Sequence, residues 1–204
     1  EEVVVPNQPF KNLLNYKNTA KLYFKIVKIS RAELEALNKI EEGSDKEYWK
    51  KVGGLKALKT FTVAPPLTED YQNHSVEFKV DALPNGTYLI LSSLNQNFKV
   101  DNNILVKQLI YVSDISYFNQ KKEMYVVNRN TGKPLSGATL QVWLREYNQV
   151  TRSYEKIKEE KYTADINGYI NLTKNEEAED YQYQFLYNND ELFTENTTYE
   201  YYTY

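Results

Sequence analysis

Three groups of side chains in this sequence are of types that could do chemistry: one histidine, an acidic run and a short loop rich in Asp and Asn. His74, in the stretch YQNHSVEF, is the only imidazole of the 204-residue chain. A lone imidazole cannot form a zinc site built from several histidines. No nucleophile-elbow pattern accompanies it to complete a Ser-His-Asp triad. We therefore expect His74 to be a surface residue at a turn.

The acidic run NEEAED and the loop DINGYIN are both better explained as turns than as sites. The run contributes Glu176, Glu177, Glu179 and Asp180. Glycoside hydrolysis needs two carboxyl groups held across a cleft in unlike environments, whereas neighbours in a polar run share one solvated environment. The loop, which begins at Asp165, lacks the later ligands and the closing Glu of an EF-hand. A structural calcium ion at Asp165 is the alternative interpretation.

The composition excludes several classes of function. The chain has no Cys, which rules out disulfides, thiolate metal sites and thiol catalysis within it. Its formal net charge of −3 provides no basic footprint for nucleic acid, and no apolar run approaches the length of a membrane-spanning helix. We expect no catalytic residue, cofactor site or metal site, and neither nucleic-acid binding nor membrane insertion.

Aromatic side chains supply the candidate interaction surface. The chain has 19 Tyr and 14% aromatic residues, a bias that favours strands. The residues that we assign to this surface are Trp143, Tyr199, Tyr201, Tyr202 and Tyr204. Such rings combine an apolar face with a polar edge, which suits sugars. The alternative is that Trp143 packs between sheets or domains and that the terminal tyrosines meet a neighbouring domain.

Alternating apolar and polar residues predict the elements that must position these side chains. KLYFKIVKI (21–29), SVEFKV (75–80) and ATLQVWLREY (138–147) all have a period of two. In the last segment, one face carries Ala138, Leu140, Val142 and Leu144. Several such segments separated by turn residues are typical of antiparallel β-sandwiches. We predict a mainly β protein of two consecutive antiparallel sandwich domains, residues 1–107 and 108–204, with the boundary inside the range 104–119.

One region departs from this pattern and predicts a helical insert in the first domain, at about residues 30–54. Ser30 is followed three residues later by Glu33, and Ser44 by Glu47, which fits the capping box at the start of two short helices. The stripe of Ala32, Leu34, Leu37 and Ile40 would be buried. We expect these helices to cap an open end of the sandwich.

Two turn phrases lie in the second half: NRNTGKPLSGATLQVW (128–143) and TADINGYINL (163–172). Pro134 lacks an amide donor and belongs outside a central ladder. Gly137 would allow the backbone to pass close to a neighbour, and Gly168 would supply a positive φ before a strand. Each residue has a structural explanation that needs no substrate.

These two phrases also carry a resemblance. TGKPLSGATLQV followed by TADINGYINL resembles the paired signature of carboxypeptidase-regulatory-like and macroglobulin-like β-sandwich domains. LIYVSDIS, before the signature, is similar to the strand that opens such a domain in bacterial α2-macroglobulin-like proteins. NDELFTENTTYEYYTY resembles the Tyr-rich segment that leads to a later domain of that family, and the first half loosely resembles the preceding domain. The family's thioester Cys and lipid-anchoring Cys are both missing.

The resemblance implies a function for the whole parent protein rather than for this chain alone. Such proteins belong to the peptidase inhibitor family and trap a peptidase when a bait is cleaved, and the thioester couples to it. They are exported to the bacterial periplasm or the cell surface, some as membrane-anchored lipoproteins. The chain, which starts EEVVV without Met, would be an N-terminal, non-catalytic scaffold portion of such a protein. Its partners would be other domains of the parent and, through the full-length protein, a peptidase. The alternative is a glycan-binding or adhesin module of a secreted or surface protein.

Overall fold

The computed structural model describes residues 2–41, 43–150, 152–173 and 181–194. The chain forms two compact units, Glu2–Val112 and a second unit that begins at Ser113. A division at residues 107 and 108 would cut through a strand, Leu105–Val112, whose full length is paired with the strand before it. Because its last five residues belong to the sheet of the first unit, the division lies after Val112.

The first unit contains seven strands and two helices among the described residues. They are β1 (Glu2–Val4), β2 (Phe10–Tyr16), β3 (Leu22–Ile29), α1 (Arg31–Glu41), α2 (Asp45–Gly53), β4 (Lys59–Val63), β5 (His74–Val80), β6 (Gly86–Ser93) and β7 (Leu105–Val112). Five strands form a sheet in the order β1-β7-β6-β3-β4, and β2 pairs with β5 in a second sheet. The pair β1 and β7 is parallel, so the expectation of a wholly antiparallel domain is wrong at that edge.

The five-stranded sheet is covered on both faces. Leu22, Phe24 and Ile26 of β3 lie in an apolar cluster that includes Val80 of the second sheet. The alternate β3 residues Val27 and Ile29 lie in another cluster. The helices contribute Leu34, Leu37, Tyr48 and Val52 to that second cluster. The helices therefore do not cap an open end of the sandwich; they cover the face of the sheet that β2 and β5 leave bare.

Each helix begins at the predicted serine. The N–H of Glu33 donates to Ser30 Oγ (3.3 Å), and the N–H of Ser30 donates back to Glu33 Oε2 (2.8 Å), which completes a capping box. The hydrogen bonds from the hydroxyl and the backbone N–H of Ser30 lower the pKa of Glu33. The N–H of Glu47 donates to Ser44 Oγ at the start of α2. Of the predicted stripe, Leu34 and Leu37 are buried and Ile40 packs beside them, whereas Ala32 is exposed.

A buried lysine joins the sheet to α2. Lys25, in the middle of β3, is only 5% exposed and points to the helical face. Its Nζ donates to the carbonyl oxygens of Gly53 (2.7 Å) and Leu55 (3.1 Å) and lies 4.6 Å from the centre of the Phe98 ring. Burial lowers the pKa of Lys25. The ammonium group thereby satisfies carbonyls at the C-terminal end of α2, where a helix leaves them without partners and where a cation is favoured.

The second unit is a sandwich of a four-stranded and a three-stranded sheet. Its strands are β8 (Ile115–Gln120), β9 (Glu123–Asn128), β10 (Thr139–Asn148), β11 (Ser153–Thr163), β12 (Tyr169–Asn171), β13 (Tyr181–Tyr187) and β14 (Asp190–Phe193). The sheet orders are β11-β10-β13-β14 and β12-β9-β8. Between the sheets, Tyr117 of β8 stacks on Phe185 of β13 at 4.6 Å. On the predicted core face of β10, Ala138, Leu140 and Val142 are buried and Leu144 is half-buried.

The two signature phrases fold into one assembly of turns. The main chain of Val126 in β9 connects them, because its N–H donates to Gly168 O (2.8 Å) and its carbonyl accepts from the N–H of Leu135 (3.0 Å). Asn128 Oδ1 accepts from the N–H groups of Asn130 (3.1 Å) and Thr131 (2.9 Å), which closes the first turn. Pro134 is exposed and bridges Val127 outside the named strands, as its missing amide donor requires.

The two glycines of these phrases have different roles. Gly168 has φ +73°, as predicted, and a Cβ there would lie 2.4 Å from Val126 O. Gly137 has φ +77°, and a Cβ there would meet nothing within 4 Å. The expectation that Gly137 permits a close approach is therefore wrong. Gly137 supplies a left-handed conformation, while the close approach occurs at Gly168.

Leu140→Ala should destabilise the second unit by about 2–5 kcal/mol, the usual range for truncating a buried leucine. Each unit holds one of the two tryptophans, Trp49 and Trp143. Chemical denaturation in a Trp49→Phe background, followed by fluorescence, reports on the second unit alone. Val150→Ala, at a position 92% exposed, is the control and should shift stability by less than about 0.5 kcal/mol. An equally small shift for Leu140→Ala would contradict the assignment of the core face.

Lys25→Met should destabilise the first unit by about 1–3 kcal/mol, because the carbonyls of Gly53 and Leu55 would lose their buried donor. The measurement is chemical denaturation in a Trp143→Phe background. The control is Lys28→Met, an exposed lysine of the same strand. If Lys25→Met were as stable as the parent or more so, the desolvation of the ammonium group would outweigh its hydrogen bonds.

Gly137→Ala should cost about 1–2 kcal/mol, the penalty for placing an L-residue in the left-handed region. Gly168→Ala carries the same penalty and also forces Val126 O away from the new methyl group. It should therefore be clearly the more destabilising of the two when both are measured by denaturation in the Trp49→Phe background. Equal effects would argue against the close contact at Gly168.

Candidate functional site

His74, which we expected to be a surface residue at a turn rather than a catalytic one, makes contacts that stabilise its own turn and strand. Nε2 of His74 lies 3.0 Å from each carboxylate oxygen of Asp70, and its ring lies 5.8 Å from that of Tyr16. The hydrogen bond to His74 lowers the pKa of Asp70. The adjacent hydroxyl, Ser75 Oγ, donates to Asn15 Oδ1 (2.6 Å). The dyad of His74 and Asp70 thus connects the turn before β5 to the strand itself.

The candidate calcium loop is closed by its own hydrogen bonds. Asp165 Oδ1 accepts from the N–H groups of Asn167 and Tyr169, both at 2.8 Å. The N–H of Gly168 donates to the carbonyl of Asp165. Within the described residues, no group of three or more His, Cys, Asp or Glu side chains is arranged to hold a metal ion. The acidic residues Glu176, Glu177, Glu179 and Asp180 lie outside the described ranges.

Trp143, the one described member of the predicted aromatic surface, is half-buried in β10. Its Nε1–H donates to Gln184 Oε1 of the neighbouring strand (3.1 Å). A bulge in β11 precedes it, where the register shifts between Gln141 and Trp143 and the amide of Gln141 donates to Glu159 O (2.7 Å). Trp143 is thus held within its own sheet. Tyr199, Tyr201, Tyr202 and Tyr204 lie outside the described residues.

An exposed aromatic row on the three-stranded sheet was missed by the sequence reasoning. Phe118 lies opposite Tyr125, and Tyr125 lies opposite Tyr169, so the row crosses all three strands. Phe118 is 66% exposed, and the rings of Tyr125 and Tyr169 are 5.1 Å apart. Phe118 and Tyr125 line an open pocket of about 330 Å³. The alternation in ISYFNQ and EMYVVN puts these rings opposite the buried residues, which is the signal that could have located the row.

A cluster that we name the connector clamp fixes the first residues of the second unit. It consists of Ser113, Asp114, Arg129 and Asp190. The carboxylate of Asp190 accepts from Ser113 Oγ (3.1 Å) and from the N–H of Asp114 (2.8 Å), both through Oδ2. Asp190 is 8% exposed and Ser113 is fully buried.

Arg129 holds the same segment through its carbonyl groups. Its Nη2 donates to Ile115 O (2.7 Å) and its Nε donates to Ser113 O (3.3 Å). Burial lowers the pKa of Arg129, and the charges of Asp190 and Asp114 oppose that shift. Arg129 is half-buried, and the nearby carboxylates offset part of the cost of removing its charge from water. The clamp therefore binds the side chain of Ser113 and also the backbone of the segment from Ser113 to Ile115.

Neither protein-family models nor curated protein sequences give a match. Among the described residues, no helix is long and apolar enough to cross a membrane.

Solved structures do match. A crystal structure of native alpha-2-macroglobulin from Escherichia coli spanning domains NIE-MG1 matches with a TM-score of 0.58 and 14% identity, over 95% of this chain and 92% of that one. A second structure of that protein, spanning domains MG0-NIE-MG1, matches with a TM-score of 0.62 and 12% identity, over 95% of this chain and 61% of that one. The chain has the mainly β, macroglobulin-like fold of the N-terminal NIE-MG1 domains of a bacterial alpha-2-macroglobulin.

Proposed function

We propose that the chain is a non-catalytic scaffold segment of a bacterial α2-macroglobulin-like, peptidase-trapping protein. The observation that carries the proposal is the match of fold over both units, which spans 95% of this chain and 92% of the E. coli NIE-MG1 segment. In this proposal the first unit takes the place of NIE and the second that of MG1, in the order of that segment.

The internal structure of each unit supports a mechanical role rather than a chemical one. In the first unit, a sheet buried on both faces is tied to α2 through Lys25. In the second unit, the turn assembly around Val126 and the connector clamp fix loops through backbone hydrogen bonds. Segments held in this way transmit displacement instead of absorbing it, which is what a protein that collapses around a peptidase requires of its framework.

The partners in this proposal are other domains of the parent chain. The aromatic row of Phe118, Tyr125 and Tyr169 is an exposed apolar surface of the kind that protein interfaces use. A peptidase would be a partner only of the full-length protein. The same resemblance supports export to the bacterial periplasm or cell envelope. The glycan-binding alternative has less support, because the indole N–H of Trp143 is already donated to Gln184.

The purified chain should neither hydrolyse peptide, ester or glycoside substrates nor inhibit a peptidase by itself. A trap of this family needs a cleavable bait and, in thioester members, a reactive Cys, and this chain has no Cys. The assay adds the chain to several peptidases and follows cleavage of both protein-sized and small substrates.

Two outcomes would overturn the proposal. Stoichiometric loss of peptidase activity would identify a direct inhibitor of the active site. Specific binding to a glycan array that Trp143→Ala abolishes would favour the adhesin alternative. Sequencing the gene on both sides supplies an independent check, because the proposal requires a bait region and a later macroglobulin domain downstream.

A further inference from the structure

A second open pocket lies in the first unit, between α2 and the loop after β6. Its volume is about 590 Å³, within the range of sites for small molecules. One wall is formed by Lys46, Lys50 and Gly53, which lie along one face of α2, and by Gly54, which caps its C-terminal end. The other wall is the segment from Asn97 to Asp101.

The loop wall is held in place by side-chain hydrogen bonds. Asn103 Nδ2 donates to Lys99 O (2.6 Å) and to Ser93 Oγ (2.9 Å). Asn97 Oδ1 accepts from the N–H of Lys99 (2.9 Å). Phe98 has a left-handed φ of +54°, and a Cβ on Gly53 would lie 2.3 Å from its carbonyl oxygen. The pocket is therefore bounded by a backbone that is already ordered.

The side chains that line this pocket carry a net positive charge. Lys46, Lys50 and Lys99 are exposed, and no acidic side chain among the described residues pairs with them. Asp101 is the one acidic residue that lines the pocket, so three lysines face a single carboxylate. Other lysines of the same unit are paired, such as Lys11 with Glu77 and Lys107 with Glu41.

Helix stability accounts for only part of this arrangement, because Lys50 lies in the last turn of α2, where a cation is favourable. Lys46 is the second residue of α2, at the end of the helix dipole where a cation is unfavourable. Lys46 and Lys50 are also four residues apart, a spacing at which like charges on a helix repel each other. Both costs would be relieved by an anion between the two walls.

The buried ammonium group of Lys25 adds to the positive charge near this pocket. It contacts the carbonyl of Gly53 and the ring of Phe98, and both of these residues line the pocket. Its described partners are two carbonyl oxygens and one aromatic ring, and none is a carboxylate. Because Lys25 is almost completely buried, solvent screens its charge weakly.

We propose that this pocket binds a small organic anion that carries two or more carboxylate or phosphate groups. Lys46, Lys50 and Lys99 bind the separate anionic groups, Lys25 supplies a fixed positive charge behind the wall, and Val100 contacts the carbon skeleton. The inference goes beyond the proposed scaffold function, because it assigns a ligand to the first unit that the mechanical role does not need.

The test uses the complete 204-residue chain with citrate as the probe, followed by calorimetry and by amide chemical shifts in NMR. Citrate should shift the amide signals of Gly53, Gly54 and the segment 97–101, and it should bind more tightly than acetate. Replacing Lys46, Lys50 and Lys99 together with Gln should weaken citrate binding by at least about tenfold, since each lost contact removes a charge-assisted interaction.

The matched control changes the same number of charges elsewhere, at the exposed residues Lys17, Lys39 and Lys133. It should alter citrate affinity by less than about threefold, the part due to net charge alone. The proposal is overturned if the control weakens binding as much as the pocket variant, if citrate leaves the pocket amides unshifted, or if acetate binds as tightly as citrate. Urea denaturation of both triple variants checks that they are folded, and substitutions at exposed sites should change stability little.

Discussion

The five-stranded sheet of the first unit carries apolar side chains on both faces. Both faces must be covered, and this requirement determines where the remaining strands and helices of that unit lie. The β2 and β5 sheet covers the face formed by Leu22, Phe24 and Ile26. The helices cover the face formed by Val27 and Ile29. On that second face Lys25 is a charge in the middle of an apolar layer, and it is tolerated because the end of α2 provides carbonyl oxygens. The position of α2 is therefore set both by apolar packing and by its hydrogen bonds to the buried Lys25, and the walls of the lysine-lined pocket follow from that position.

The second unit depends on a different interaction: backbone hydrogen bonds hold the long loops between its strands in place. Two turns that are distant in sequence meet at Val126, which is bonded to Gly168 on one side and to Leu135 on the other. Pro134 lies near Gly168 there, since a Cβ added to Gly168 would be 3.3 Å from Pro134 Cβ. The two phrases of the sequence signature therefore form one structural unit. A substitution in either phrase would affect the packing of the other.

Local patterns predicted the parts of this structure that depend on local physics. The period of two located β3 and the core face of β10, and the capping boxes located the starts of both helices. The face that the helices cover was not predictable in the same way. Lys25 occupies an alternate position of β3 that a simple polar pattern assigns to solvent, and only the carbonyls brought by α2 allow its burial.

The remaining differences arise from long-range pairing. In the parallel pairing of β1 with β7, Glu2 lies opposite Ile110, and no local sequence pattern in either strand predicts this pairing. The sequence YNND suggests that Asp190 is an ordinary turn residue. Its carboxylate is instead the buried hydrogen-bond acceptor of the connector clamp. Trp143 was assigned correctly to a strand, but its hydrogen bond to Gln184 depends on which strand lies beside β10.

The connector clamp also has a consequence for the order in which the protein acquires its structure during synthesis. Ser113 and Asp190 are 77 residues apart in sequence, so their hydrogen bond cannot exist until β14 has emerged from the ribosome. The first unit, which ends at Val112, has been synthesised well before that moment, and domains generally fold as units with the N-terminal one first. Arg129 and Asn128 can bind the segment from Ser113 to Ile115 earlier in synthesis, but the hydrogen bonds from Ser113 and Asp114 to Asp190 form only when the last described strand arrives.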